Sequence, residues 1–335
     1  MEKLCSSLSI VLLILLCCTS ISAQNKYHYE GYTQGTYYSI IYFAEKEIVT
    51  KENIENKLSD FMQTASLWEK NSTIAKVNRN EAVALDSNFI TIFNKAQEIS
   101  KLTDGAFDIT VGLLVNAWGI GYKQNVELSQ KTIDSMLNFV GYHNIAIKDG
   151  FFWKKYPEIS IDFNAIAKGY SVDLIANYLK GNGITDYLVD IGGEVRAEGE
   201  NIDTKKKWLI GIERPSKTAN DEREYQFVIQ LDGKSIATSG TYRKYREVDG
   251  IRYSHTIDPK TGYPVSHTLL SATVIADDCI TADALATAFM VMGTEKAKSV
   301  LAKFKDCEAL FIVSDKNGNI SAFNTQGFLK YFYEE

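Results

Sequence analysis

Residues 27–43, YHYEGYTQGTYYSIIYF, alternate along the chain and are crowded with Tyr and Ile, so they read as two strands folded into a hairpin. The same kind of signal returns at 144–161, with a turn at Asp149-Gly150, and at 187–191, 208–213, 225–232, 269–276, 308–313 and 319–323. Helical spacing separates these stretches at 51–64, 86–101, 131–139, 166–181, about 282–292 and about 294–304. Strands and helices interleave without the strict rhythm of parallel βαβ units. The expected fold class is therefore α+β, with a mainly antiparallel sheet and packed helices. No Pro- or Ser-rich linker divides the 335 residues, and one large domain over 24–335 accounts for them.

The first 23 residues stand apart. Lys3 precedes an apolar run from Leu8 to Cys18, and small or polar residues follow as far as Ala23. This is the layout of a secretory signal peptide cut after Ala23, with an apolar run too short to span a bilayer. Cys17 and Cys18 leave a lipid anchor open, although Leu15-Leu16 suit such a cut poorly. The expected location is outside the cytoplasm, in the periplasm, free or held to the inner membrane by a lipid. The mature chain then keeps only Cys279 and Cys307, either bridged or present as two free thiols. A formal net charge of −6 argues against a general nucleic-acid binder, which needs a basic face.

Three segments carry unusual chemistry. In IDFNAIAKGYSVD (161–173), Asp162 precedes a small-residue turn and a helix opening near Ile166. Helix N-terminal N–H groups attract phosphate, and Lys168 adds a mobile cation. The plainer alternative is that Asp162 caps the helix and Lys168 is solvated. In ATSGTYRKYREVDGIRYSHTIDPKTGYP (237–264), Arg243, Lys244 and Arg246 form a basic cluster. His255, one of only four histidines, sits just before the turn Asp258-Pro259-Lys260-Thr261-Gly262. His255 is the natural candidate for a proton carrier, with Asp258 beside it. In TADALATAFMVM (281–292), Asp283 and Thr287 fall on one helical face four residues apart. A carboxylate and a hydroxyl are hard oxygen donors that suit magnesium shared with substrate phosphates. The alternative is that Thr281 and Asp283 only cap the helix.

Taken together, TQGTYYS (33–39), SLWEKNSTIAKVN (66–78), TDGAFDIT (103–110), the 161–173 segment, LVDIGGEVRAEG (188–199), ATSGTYRKY (237–245), HTIDPKTGYP (255–264), TADALATA (281–288) and TQGF (325–328) resemble, in order, the ApbE family of FAD:protein FMN transferases. The likeness runs from about Tyr32 to Phe328, and it implies an ApbE-like, T-fold-like domain. It implies that FAD is the substrate, with magnesium on its diphosphate. FMN would pass to a Thr hydroxyl of an acceptor flavoprotein through a phosphoester, releasing AMP. By motif position, the FAD contacts fall at Gln34, Trp68, Ala106, Phe107, Asp108, Asp162, Lys168 and Ile257. The metal falls to the Ala165 carbonyl, Asp283 and Thr287, and His255 lies near the reacting phosphate. Lys168 or Arg243 would neutralise the remaining phosphate oxygens. Gln34 stands where the family commonly has Met, and Trp68 where it often has Tyr. Asn164-Ala165 replaces a frequent Gly-Gly. The acceptor implied is a membrane redox subunit or an exported flavoprotein with a Ser/Thr-rich motif. Two other readings share these residues: a pyrophosphatase cutting FAD to FMN and AMP with water, and an exported flavin carrier without chemistry. The carrier has no use for Asp283 and Thr287.

Overall fold

A computed structural model describes residues 24–121, 128–215, 224–241, 245–248, 251–315 and 317–334. Residues 1–23, where the signal peptide is expected, with Cys17 and Cys18, and the cation Arg243 lie outside the described residues. In chain order come β1 (Asn25–Thr33), β2 (Thr36–Ala44), α1 (Lys51–Ala65), α2 (Thr73–Asn78), α3 (Ser87–Leu102), α4 (Gly112–Ala117) and α5 (Gln130–Leu137). Next are β3 (Ile145–Lys148), β4 (Phe151–Lys154), α6 (Ala167–Gly181), β5 (Tyr187–Ile191), β6 (Glu194–Glu198), β7 (Glu200–Asn201), β8 (Lys206–Glu213), β9 (Tyr225–Leu231) and β10 (Lys234–Gly240). The chain closes with β11 (Tyr245–Val248), β12 (Ile251–Ser254), β13 (Leu269–Ala276), α7 (Cys279–Met292), α8 (Thr294–Leu301), β14 (Glu308–Ser314) and β15 (Ile320–Asn324).

Eight strands form the main sheet in the order β1-β2-β5-β6-β10-β13-β14-β15, and every neighbouring pair is antiparallel, as the alternating patterns predict. The opening hairpin turns on Gln34 and Gly35, both with positive φ (51° and 71°). Two left-handed residues make the tight turn whose twist matches a hairpin. Alternation along β2 splits its side chains between two cores. Tyr38, Ile40 and Tyr42 pack with Val172, Ile175 and Leu179 of α6. Ile41 and Phe43 face the other way, against Trp208, Ile229 and Phe328. The sheet is thus a middle layer, with helices on one side and the β8–β9 hairpin and C-terminal turn on the other. Among the described residues, no helix is long and apolar enough to cross a membrane.

Two features of this framework create the cleft. β10 pairs with β6 only over Lys234–Ile236, yet it continues beside β13 to Gly240, so its last residues leave the β6 side open. On the helical face, α6 and α7 cross closely at Gly169. A Cβ there would lie 2.4 Å from the Cys279 carbonyl oxygen and 2.7 Å from Asp283 Cβ. Only glycine permits that approach.

The structure departs from the sequence reading in places. Of the strands expected over 144–161, β3 and β4 flank the expected turn at Asp149-Gly150, but the chain beyond Lys154 is an irregular stretch to Ile161 rather than strand. There, side chains replace the ladder: the Asn78 amide accepts from Ile161 N–H (2.8 Å) and donates to its carbonyl (2.9 Å). The Lys154 ammonium donates to the Ile159 carbonyl (2.8 Å). Helices α2 and α4 are each six residues long, too short for periodicity to reveal. β6 escapes notice because its first inward position is a charge, Glu194. The two cysteines are free thiols, which decides against a bridge.

Candidate active site

The site grows from the α6–α7 crossing. Asp278 caps α7 through its carboxylate, accepting from Thr281 N–H (2.9 Å). Asp173 accepts from the next two amides, Cys279 (3.0 Å) and Ile280 (2.8 Å), and is paired with Arg196 (2.9 Å). With capping done by Asp278 and Asp173, Asp283 is not needed as a cap. It sits one turn deeper, 3% exposed, with Oδ2 accepting from Gly169 N–H (2.9 Å). In a regular helix the Gly169 amide would donate to the Ala165 carbonyl four residues back. Ile166 breaks that geometry (φ −149°, ψ −19°), and the amide turns to Asp283 instead. Ala165, Asp283 and Thr287 all line the same cleft. Thr287 Oγ1 lies 3.2 Å from Ser239 Oγ at the open end of β10.

An ion pair with a buried carboxylate stands beside these residues. Lys168, the second residue of α6, contacts Glu194 Oε1 at the start of β6. Burial disfavours the Lys168 charge, but the Glu194 and Asp283 carboxylates outweigh it and hold the ammonium above its ordinary range. Burial pushes Glu194 and Asp283 upward, and the shared Lys168 cation opposes this in both. One partly exposed cation thus serves two buried carboxylates. Such an arrangement holds room for further positive charge.

The rim is assembled from loops. Gln34, at the β1–β2 turn, donates to Ser171 Oγ (2.8 Å), which donates to the Lys168 carbonyl (2.7 Å). Trp68 follows α1 and is 62% exposed while lining the cleft, which puts an aromatic side chain at its rim. Ala106 and Phe107 are buried in the wall. Asp108 is committed to the fold: it accepts from Thr110 N–H (2.8 Å) and Oγ1 (2.6 Å), and from Tyr142 N–H (2.7 Å). Asp162 is buried and accepts from Asn164 N–H (2.7 Å), shaping the turn before α6. Burial raises both carboxyls above their usual range, against these hydrogen bonds.

The His255 turn rests on a satellite core of Leu114, Trp118, Ile133 and Ile257. Trp118 Nε1 donates to the Gly262 carbonyl (2.8 Å), and Gly262 has φ +76°. Asp258 closes the turn: its carboxylate accepts from Lys260 N–H (2.8 Å) and its carbonyl from Gly262 N–H (2.8 Å). Of the two proton-carrier candidates, His255 lines the cleft with Ile257, whereas Asp258 is absent from its lining and is occupied as a turn residue.

One cleft of about 1290 Å³ is therefore lined by Gln34, Trp68, Ala106, Phe107, Asp108, Asp162, Ala165, Lys168, His255, Ile257, Asp283 and Thr287. The sequence reading missed Glu194, Gly169 and Ser239, which pair with, pack against or face the predicted residues. Gly192-Gly193 directly before Glu194 was the available signal, since both adopt positive φ and turn the chain into the site. The donors fit magnesium: hard oxygens, few in number, beside space for a phosphate-bearing ligand. Among the described residues no group of three or more His, Cys, Asp or Glu gathers for a metal, so a fully protein-made cage is not offered there.

Residues 34–311 match the ApbE family. The FAD:protein FMN transferase of Vibrio cholerae serotype O1 is 37% identical over 316 residues, 92% of each chain. That of Haemophilus influenzae is 35% identical, covering 96% of each. Among solved structures, the flavin transferase ApbE from Vibrio cholerae superposes with a TM-score of 0.82 at 33% identity, over 92% of this chain and all of that one.

Proposed function

The chain belongs to the ApbE family and is a flavin transferase, and from that premise we propose that it moves the FMN part of FAD, with magnesium, onto a threonine hydroxyl of an acceptor flavoprotein, releasing AMP. The observation that carries this reading is the convergence on one cleft of an aromatic platform, a buried cation, an oxygen donor set and a histidine. Asp283, Thr287 and the Ala165 carbonyl are the residues that would hold magnesium. Bound there, it would polarise the phosphoanhydride and neutralise charge on its oxygens.

The protein's own groups supply the rest. Trp68 stacks on a ring of the dinucleotide, and the walls at Ala106 and Phe107 exclude water from it. Lys168, held protonated beside Glu194 and Asp283, neutralises diphosphate oxygens. His255 accepts the proton of the threonine hydroxyl as its oxygen bonds to the flavin-side phosphorus. The phosphoanhydride P–O bond breaks and AMP departs with that electron pair. Such chemistry depends chiefly on positioning and charge neutralisation. The acceptor is a membrane redox subunit or exported flavoprotein with a Ser/Thr-rich motif. The enzyme meets it in the periplasm, reached by the N-terminal export signal.

Incubating enzyme, FAD and magnesium with and without a purified candidate acceptor tests this reading. Fluorescent flavin that stays with the acceptor through denaturing electrophoresis supports transfer. Free FMN and AMP in both arms, with no labelled protein, contradict it and favour hydrolysis. FAD binding without any AMP favours a carrier.

A further inference from the structure

Glu194 lines the cleft, and the proposed chemistry gives its carboxylate no role beyond pairing with Lys168. It is 3% exposed, at the point where the Gly192-Gly193 turn delivers β6 into the site. Its two oxygens differ. Oε1 is taken by Lys168, whereas Oε2 is fully buried and makes no hydrogen bond among the described residues. An ionised oxygen kept from water without a donor is costly, and such groups in folded proteins generally meet a ligand or an ordered water. The neighbourhood indicates which. Glu194 and Asp283 are close enough to repel each other electrically, and Lys168 interacts with both. The two carboxylates thus flank one cation in the cleft that Ala165, Asp283 and Thr287 also line.

We infer that Glu194 is a positioning residue for the metal centre, with Oε1 fixing the Lys168 ammonium and Oε2 accepting a hydrogen bond from a water of hydrated magnesium. The inference rests on the proposed magnesium site. Magnesium keeps several of its waters when protein ligands are few, and those waters need acceptors. Outer carboxylates that orient such waters typically change metal affinity by about 10–100-fold when removed.

The test is binding of Mn²⁺ to the metal-free full-length protein, followed by electron paramagnetic resonance, with thermal unfolding of each variant alongside. Glu194→Gln keeps the shape and an oxygen for Lys168 but loses the negative charge. We expect it to weaken Mn²⁺ binding by about 10–100-fold with an unfolding temperature near that of the parent. Glu194→Asp, which keeps the charge on a shorter arm, should recover part of the loss. Parent and Glu194→Gln proteins with equal Mn²⁺ affinity would overturn the inference while leaving the metal site intact. A parent protein that binds no Mn²⁺, with or without FAD, would overturn the metal site and this inference with it. Should Glu194→Gln fail to fold, Glu194→Asp decides: unchanged Mn²⁺ affinity there refutes the role.

Discussion

The two ends of the cleft are built by different means. At the charged end, Asp283, Lys168 and Glu194 belong to helices and a strand of the main core, locked by the Gly169 crossing and by capping at Asp278 and Asp173. At the other end, His255 hangs on a turn supported by four buried side chains of a satellite core. Burying several charges next to each other requires walls that do not relax, because an unmatched charge in the interior is expensive. A proton carrier needs a defined position too, but it must also be reached by a second, macromolecular substrate. A turn at the rim meets both needs.

This contrast can be tested by perturbing each end. His255→Ala should slow transfer by about 10²–10⁴-fold, the usual worth of a general base, and leave FAD affinity and unfolding temperature near the parent values. Stopped assays of labelled acceptor, with FAD fluorescence quenching, measure the two. A matching loss of stability would show that the turn is not separable from the main core. Gly169→Ala should act in the opposite way. Its Cβ meets the Cys279 carbonyl and Asp283 Cβ, so we expect destabilisation of about 1–3 kcal/mol together with weakened metal binding, read by calorimetry and Mn²⁺ titration.

Smaller effects belong to the rim. Trp68→Ala should remove a stacking face worth about 1 kcal/mol, raising the Kd for FAD by about fivefold with little change in kcat. Lys260→Ala breaks an ion pair with Asp104 (2.6 Å) in which both side chains are exposed, and should leave the unfolding temperature near the parent value. A large effect from Lys260→Ala would mean that the His255 turn depends on that surface pair rather than on Trp118 and Gly262.

Much of this was legible in the chain. Alternation in β1 and β2 announced the antiparallel sheet. The four-residue spacing of Asp283 and Thr287 placed both on one face, and the Asp258–Gly262 turn is as its residues suggested. What stayed hidden depends on distant partners. Glu194 drew no attention because nothing local tells that Lys168, 26 residues earlier, meets it. Asn78 gave no hint that its amide would hold Ile161, 83 residues on, in place of a strand ladder. Asp108 carries the reverse lesson: a motif residue in the cleft wall spends its carboxylate on Thr110 and Tyr142. Asp283 itself was ambiguous until Asp278 was seen to cap α7 in its stead.

We propose that Ala165, Asp283 and Thr287, beside the α6–α7 crossing, support metal-dependent cleavage of the FAD diphosphate. Its most direct test is AMP release from FAD across a magnesium titration, comparing the parent protein with Asp283→Ala. The account predicts saturable, chelator-sensitive AMP release by the parent and none from Asp283→Ala at any magnesium concentration, while FAD still quenches on binding. Full AMP release by Asp283→Ala at saturating magnesium would contradict it.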